Sequence, residues 1–219
     1  MAQTFKAGLI RVVTLEDAAL RELHGKLIQQ YCPALRVETK SIPDQPEGIH
    51  SEETKALAVP KIIELARSFR EIDVLIISCC DDPAVQELGE QLPIPVVGAG
   101  SATAALARRY GRNVGILGIT DYAPQPYQEL LGENLVNLGR PEGVNGTLDL
   151  LTPQGRQSCF DKAAELKAAG ARSIALACTG MSTIGLTAPL EQACGLPVVD
   201  PVLAEGLMAY YECLRTTMQ

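Results

Sequence analysis

The ten residues VLIISCCDDP, positions 74–83, decide how the chain folds. Val74, Leu75, Ile76 and Ile77 form an unbroken apolar run that stops at Ser78, and two cysteines and two aspartates follow. A short β-favouring run with no polar alternation is a strand covered on both faces. Helical patterns flank it at 52–70 and 83–91. Working outward, the same unit recurs. Further strands are expected at 8–14, 35–40, 95–98, 114–120, 134–138, 173–177 and 197–199. Between them, helical patterns cover 15–30, 102–110, 152–169, 184–193 and 202–214. Strands alternating with helices predict an α/β fold built on mostly parallel sheets.

The chain also repeats itself. GLIRVVT (8–14) resembles VGILGIT (114–120). VLIISCC with LPIPVVGAG is echoed by SIALACTG with GLPVVDPV. In each half an apolar strand ends on cysteine, a helix-length segment follows, and a Pro-Val-Val strand comes next. This predicts two pseudo-symmetric lobes, each a mostly parallel four-stranded sheet flanked by helices, with the active site in the cleft between them. The expected boundaries are 1–100 with 200–219 for the first lobe and 101–199 for the second.

Composition narrows the function classes. The 219 residues carry 19 basic and 26 acidic side chains, a net charge of −7 with no basic cluster. That argues against nucleic acid or an anionic membrane as partner and for a small-molecule substrate. No apolar run reaches membrane-spanning length, and MAQTFKAGLIRVVT reads as a lead-in to a strand, so a cytoplasmic location is expected. The seven cysteines are odd in number and contain no C-x-x-C, which argues against a disulfide framework. The two histidines, His24 and His50, lie far from any cysteine cluster, so no metal site is expected.

In parallel sheets, ligands sit outside the carboxyl ends of the strands. Thr14, Cys79, Gly98 to Ser101, Thr120, Cys178 to Gly180 and Asp200 all fall at such ends. A thiol facing the start of a helix tends toward thiolate. Were the halves paired about a pseudo-two-fold axis, Cys79 and Cys178 would face each other. Two opposed thiols suit a stereoinversion in which one removes a proton from carbon and the other delivers one to the opposite face.

SCCDDP (78–83), PVVGAG (95–100), ALACTGM (175–181) and LPVVDPV (196–202) together resemble the Asp/Glu/hydantoin racemase superfamily, most closely its hydantoin/allantoin racemase branch. The resemblance extends over nearly the whole chain. It implies a cofactor-independent racemase with one catalytic cysteine per lobe: Cys79, in C-x-x-D-P ending at Pro83, and Cys178, in C-T-G-M. It also implies a homo-oligomer, a dimer or larger. Substrate contacts are expected from Thr14, Cys80, Ser101, Thr120, Thr179 and Gly180, the N–H groups of the last two stabilising an enolate oxygen. One departure stands out. Many members carry an Asn-Pro-Asn-Thr-like turn after the first strand, whereas this chain has Val12-Val13-Thr14-Leu15-Glu16, so only Thr14 carries over.

Blander readings compete at several positions. Cys80 should point away from Cys79 and serve as a packing or pocket-wall residue. At least one of Asp81 and Asp82 is expected to cap the following helix. Gly98 to Ser101 fits either an anion cradle or tight-turn chemistry. Thr103 stands where a dinucleotide fingerprint needs glycine, so no NAD is expected. His50 reads as a surface residue beside the IPDQPEG loop. Related activities remain in play: racemisation of aspartate or glutamate, a decarboxylase or isomerase of the superfamily, or a non-catalytic bilobal sensor.

Overall fold

In the computed structural model, which describes residues 3–218, the apolar runs assemble into two four-stranded sheets. The first contains β1 (Phe5–Arg11), β2 (Leu35–Ser41), β3 (Val74–Ser78) and β4 (Val96–Gly98), in the order β2-β1-β3-β4. The second contains β5 (Val114–Leu117), β6 (Leu135–Asn137), β7 (Ser173–Leu176) and β8 (Val198–Val199), in the order β6-β5-β7-β8. Every ladder is parallel. The connecting helices are α1 (Ala18–Tyr31), α2 (Glu52–Ala66), α3 (Val85–Gln91), α4 (Ala99–Arg108), α5 (Gln125–Leu131), α6 (Pro153–Ala168), α7 (Thr179–Thr183), α8 (Thr187–Cys194) and α9 (Pro201–Thr217). The chain divides into two compact units: the first runs through Ala99 and resumes at Val202, and the second is Gly100–Pro201.

In unit 1 all five residues of β3 are buried, the consequence of helices covering both faces of a parallel sheet. Ile10, Ile42, Ile62, Leu75, Ile77 and Leu88 pack in one apolar cluster that also takes in Cys79. Local chemistry starts the helices. Asp17 accepts from the Ala19 and Leu20 N–H groups at the head of α1, and Ser51 with Thr54 forms a reciprocal capping box at α2. In unit 2, Leu117, Leu150, Leu166, Ile174, Leu176, Met181 and Leu190 form the corresponding cluster, which includes Cys178.

Several expected boundaries move, each for a physical reason. The first strand lies three residues earlier than 8–14, because beyond Arg11 the chain is tied to another loop. There the Thr14 N–H donates to Gln45 O at 3.0 Å, and the Thr14 hydroxyl donates to Ile42 O at 2.9 Å while accepting from the Gln45 N–H at 2.7 Å. The expected helix at 184–193 gives way to α7 and α8, parted by Gly185 at φ +62°. Helix α5 lies where no element is expected. Pro124 is its N-cap and Pro126 lies in its first turn, where proline is tolerated.

Unit 1 also buries polar groups. His24 on α1 and Glu205 on α9 have no exposed surface, and Ser78 ends β3 between them. The Ser78 hydroxyl donates to Glu205 Oε1 at 2.7 Å, and its oxygen lies 2.8 Å from His24 Nδ1. Burial holds the His24 imidazole well below its ordinary range, and the Arg11 guanidinium adds to the effect.

Two expectations follow. Gly155, in the first turn of α6, approaches the Asp149 backbone carbonyl so closely that a Cβ would overlap it. Gly155→Ala should therefore lower stability in urea by about 1–3 kcal/mol, where an unhindered helical Gly→Ala would raise it by up to about 1 kcal/mol; a raised unfolding midpoint would contradict the contact. The second concerns His24. Its folded pKa is depressed, so the unfolded chain takes up a proton that the folded one refuses. Stability is complete above the unfolded pKa of about 6.5 and falls below it by up to about 1.4 kcal/mol per pH unit. Urea titrations at pH 7.5 and 5.5 should show the lower midpoint at 5.5.

Candidate active site

Both sheets share one topological feature. In the first, β1 connects to β2 on one side, and β3 and β4 lie on the other, so the connections diverge between β1 and β3. The second repeats this between β5 and β7. Such switch points open at the carboxyl ends of the strands, where ligands of parallel sheets bind. Cys79 directly follows β3, and Cys178 lies two residues past the end of β7. Each cysteine therefore stands at the switch point of its own sheet.

In unit 1 the β1–β3 ladder ends with Arg11 opposite Ser78. Cys79 then turns out of the strand: its N–H donates back to Ile77 O at 2.9 Å, and its carbonyl accepts from the Asp82 N–H at 3.2 Å. Cys79 is 8% exposed and Cys80 3%, so both side chains are buried at the strand end. The two aspartates do not cap α3, which corrects the expectation: its N-cap is Ala84, in left-handed backbone and with no side-chain capping bond. Asp81 instead pairs with Lys55, on the first turn of α2, at 3.1 Å. The Asp82 carboxyl packs over Gly98, where a Cβ would overlap it. Gly98 is thus required by close approach of the chain's own carboxyl group.

In unit 2, Cys178 is the N-cap residue of α7, and its carbonyl accepts from the Met181 N–H at 3.1 Å. The Thr147 hydroxyl lies 3.9 Å from the Cys178 sulfur. Gly180 sits so close that a Cβ would overlap the Thr147 methyl and lie 3.3 Å from that sulfur. Sequence reading does not find Thr147, which is 31 residues from Cys178 and carries no motif. At the end of β8, Asp200 accepts from the Ser182 hydroxyl at 2.9 Å and the Thr187 hydroxyl at 2.5 Å. Beneath the site, the buried Tyr127 hydroxyl donates to Leu176 O at 2.8 Å.

The remaining expected residues are distributed as follows. Thr14 lies just beyond β1, its hydroxyl bridging to Ile42 and Gln45. Thr120 follows β5, its hydroxyl donating to Tyr122 O at 2.6 Å. Ser101 is half-buried at the third position of α4, and Thr179 and Gly180 are the first two residues of α7. Cys79, Cys80 and Thr14 thus share the carboxyl edge of the first sheet. Cys178, Thr179, Gly180 and Thr120 share that of the second. His50 is half-buried rather than a surface residue, and its N–H donates to the Thr54 hydroxyl at 3.0 Å.

Burial raises the thiol pKa of three other cysteines. It pushes the Cys159 thiol up to about 12, with Cys178 adding to the rise. It pushes Cys213 to about 12 as well, helped by Asp73 and Glu212, and it raises Cys32. These remain protonated thiols at neutral pH. Among the described residues there is no cluster of His, Cys, Asp or Glu that could hold a metal ion, and no helix long and apolar enough to cross a membrane.

Comparison with known proteins agrees with this geometry. Residues 18–205 match the model of the Asp/Glu/hydantoin racemase family. The hydantoin racemase of Paenarthrobacter aurescens is 28% identical over an alignment of 185 residues, with 75% of each chain covered. Two solved structures share the fold. The allantoin racemase of Klebsiella pneumoniae superposes with TM-score 0.83 at 20% identity, over 97% of this chain and 89% of that one. The allantoin racemase of Pseudomonas fluorescens does so with TM-score 0.80 at 19% identity, over 97% and 92%. With a family match across most of its length and a cysteine at the switch point of each sheet, the chain belongs to the Asp/Glu/hydantoin racemase family and is an isomerase of the racemase class.

Proposed function

We propose that the protein is a cofactor-independent racemase of five-membered cyclic ureides, 5-substituted hydantoins or allantoin, with Cys79 and Cys178 as paired acid and base. The observation that carries the reading is the equivalent placement of the two thiols, each at the carboxyl end of the third strand of its own sheet. The 28% identity to a hydantoin racemase supports this substrate class over free amino acids. The chemistry supports it too. The ring hydrogen lies between a carbonyl and a nitrogen, so removing it gives an enolate more readily than at an amino-acid carboxylate.

In this reading one cysteine, as thiolate, takes the ring proton, and the electron pair of the broken C–H bond moves onto the carbonyl oxygen. The other cysteine, as thiol, returns its proton to the opposite face. The enantiomer is formed, and the two sulfurs have exchanged protonation states, ready for the reverse direction. The backbone N–H groups of Thr179 and Gly180 are assigned to the enolate oxygen. Thr14, Cys80, Ser101 and Thr120 are assigned to the walls that orient the ring.

The decisive measurement is deuterium exchange at C5 of a small hydantoin panel in D2O, followed by NMR alongside aspartate and glutamate. Exchange with racemisation is expected for the hydantoins; exchange confined to the amino acids would overturn the substrate class. Cys79→Ser and Cys178→Ser should each slow racemisation by about 10²–10⁴-fold, the usual worth of a positioned acid or base. Full activity in Cys178→Ser would eliminate the two-thiol mechanism. Uniformly slow iodoacetamide labelling of both cysteines would point to a binding protein instead.

A further inference from the structure

The buried chain of His24, Ser78 and Glu205 has no part in the proton transfers described above. It joins three elements far apart in sequence, α1, β3 and α9, and it meets at the residue immediately before Cys79. Serine is its centre. A hydroxyl has one proton, and that of Ser78 goes to Glu205, so the His24 nitrogen facing it carries the hydrogen of that contact. His24 therefore carries a hydrogen on Nδ1. In the hydrolytic arrangement of serine, histidine and carboxylate, histidine lies between the other two. Here it does not, and all three groups are buried. This serine anchors a strand and is not a nucleophile.

Such a chain is costly to keep. Apolar side chains of similar volume in place of buried polar and charged groups are commonly neutral or stabilising. The rest of β3 is Val74, Leu75, Ile76 and Ile77, and the core around it is apolar. A local demand at the end of β3 accounts for the exception. The ladder with β1 stops at the Arg11–Ser78 pair, and Cys79 turns back on Ile77. Cys79 thus leaves the strand directly from Ser78, the last residue of the ladder.

We propose that His24, Ser78 and Glu205 form a positioning network that fixes the carboxyl end of β3 and so aims the Cys79 thiol. The proposal deepens the reading of Cys79 as an acid–base thiol and rests on it. Proton transfer is sensitive to such aim, because a misplacement of about 1 Å costs on the order of 10²-fold in rate.

The test uses Glu205→Leu and Glu205→Gln in the full chain. Leucine removes the acceptor of the Ser78 hydroxyl, whereas glutamine keeps an acceptor oxygen. A merely structural Glu205 predicts that leucine lowers stability alone and leaves activity and Cys79 labelling in the folded protein unchanged. The positioning role predicts that Glu205→Leu, destabilised by the Ser78 hydroxyl left buried without its acceptor, while folded also loses about tenfold or more in kcat with KM within about threefold. Iodoacetamide labelling of Cys79 should change more than about threefold with Cys178 unchanged, and glutamine should restore both measures. Labelling of Cys79 that stays within that range in folded Glu205→Leu, or moves together with Cys178, would overturn the proposal. Should the leucine variant not fold, Ser78→Ala is labelled in the same way. Nitrogen NMR of His24 in the wild-type protein then adds an independent reading: a hydrogen on Nδ1 is required at pH 7, and the neutral Nε2–H form would refute the chain. Labelling needs no turnover. A protein inert toward every hydantoin would therefore remove the proposed substrate class and leave this result standing.

Discussion

Parallel pairing is the constraint from which the rest of this protein follows. Neighbouring parallel strands cannot be joined by a tight hairpin, so each connection crosses over, usually through a helix. The strands therefore start along one edge of each sheet and end along the other, and each strand end opens into a turn. With orders β2-β1-β3-β4 and β6-β5-β7-β8, the connections diverge beside the central strands of each sheet. Whatever residue follows the third strand then stands at an opening lined by backbone and turn side chains. In this chain that residue or its near neighbour is cysteine in both units.

The same topology is finished by different chemistry in the two units. Beside Cys79 the polar groups are largely charged: Lys55 with Asp81, Asp82 over Gly98, and Glu205 beneath Ser78. Beside Cys178 they are largely hydroxyls: Thr147 near the sulfur, Ser182 and Thr187 on Asp200, and Tyr127 under Leu176. A carboxyl group belongs to both surroundings but comes from opposite places. In unit 1 it reaches out of the turn after β3 and needs Gly98 at the end of β4. In unit 2 the end of β8 itself supplies Asp200, and residues of α7 and α8 reach toward it. The two halves thus keep one backbone plan with distinct side-chain surroundings for each thiol.

Much of this was legible in the sequence. β3 occupies the expected residues because a short, β-branched, unalternating apolar run suits a strand covered on both faces. The end of β1 was less legible: Val12 to Thr14 are as β-favouring as what precedes them, and only the partners they meet on the Gln45 loop take them off the ladder. Helix α5 was hidden by its prolines, whose place in a first turn is apparent only once the turn exists. Asp81 and Asp82 sit where caps are common, but Lys55 and Gly98 offer them other partners.

The amino-acid sequence by itself determined the α/β class, the repeated strand–cysteine–helix plan and the two cysteines at strand ends, because burial pattern and chain order are local properties of a one-dimensional string. Only the tertiary structure decided what surrounds those cysteines. Thr147 at Cys178, and His24 and Glu205 at Ser78, lie 31, 54 and 127 residues from their partners. No periodicity spans such distances. Contacts of that kind exist only once the helices have packed against their sheets.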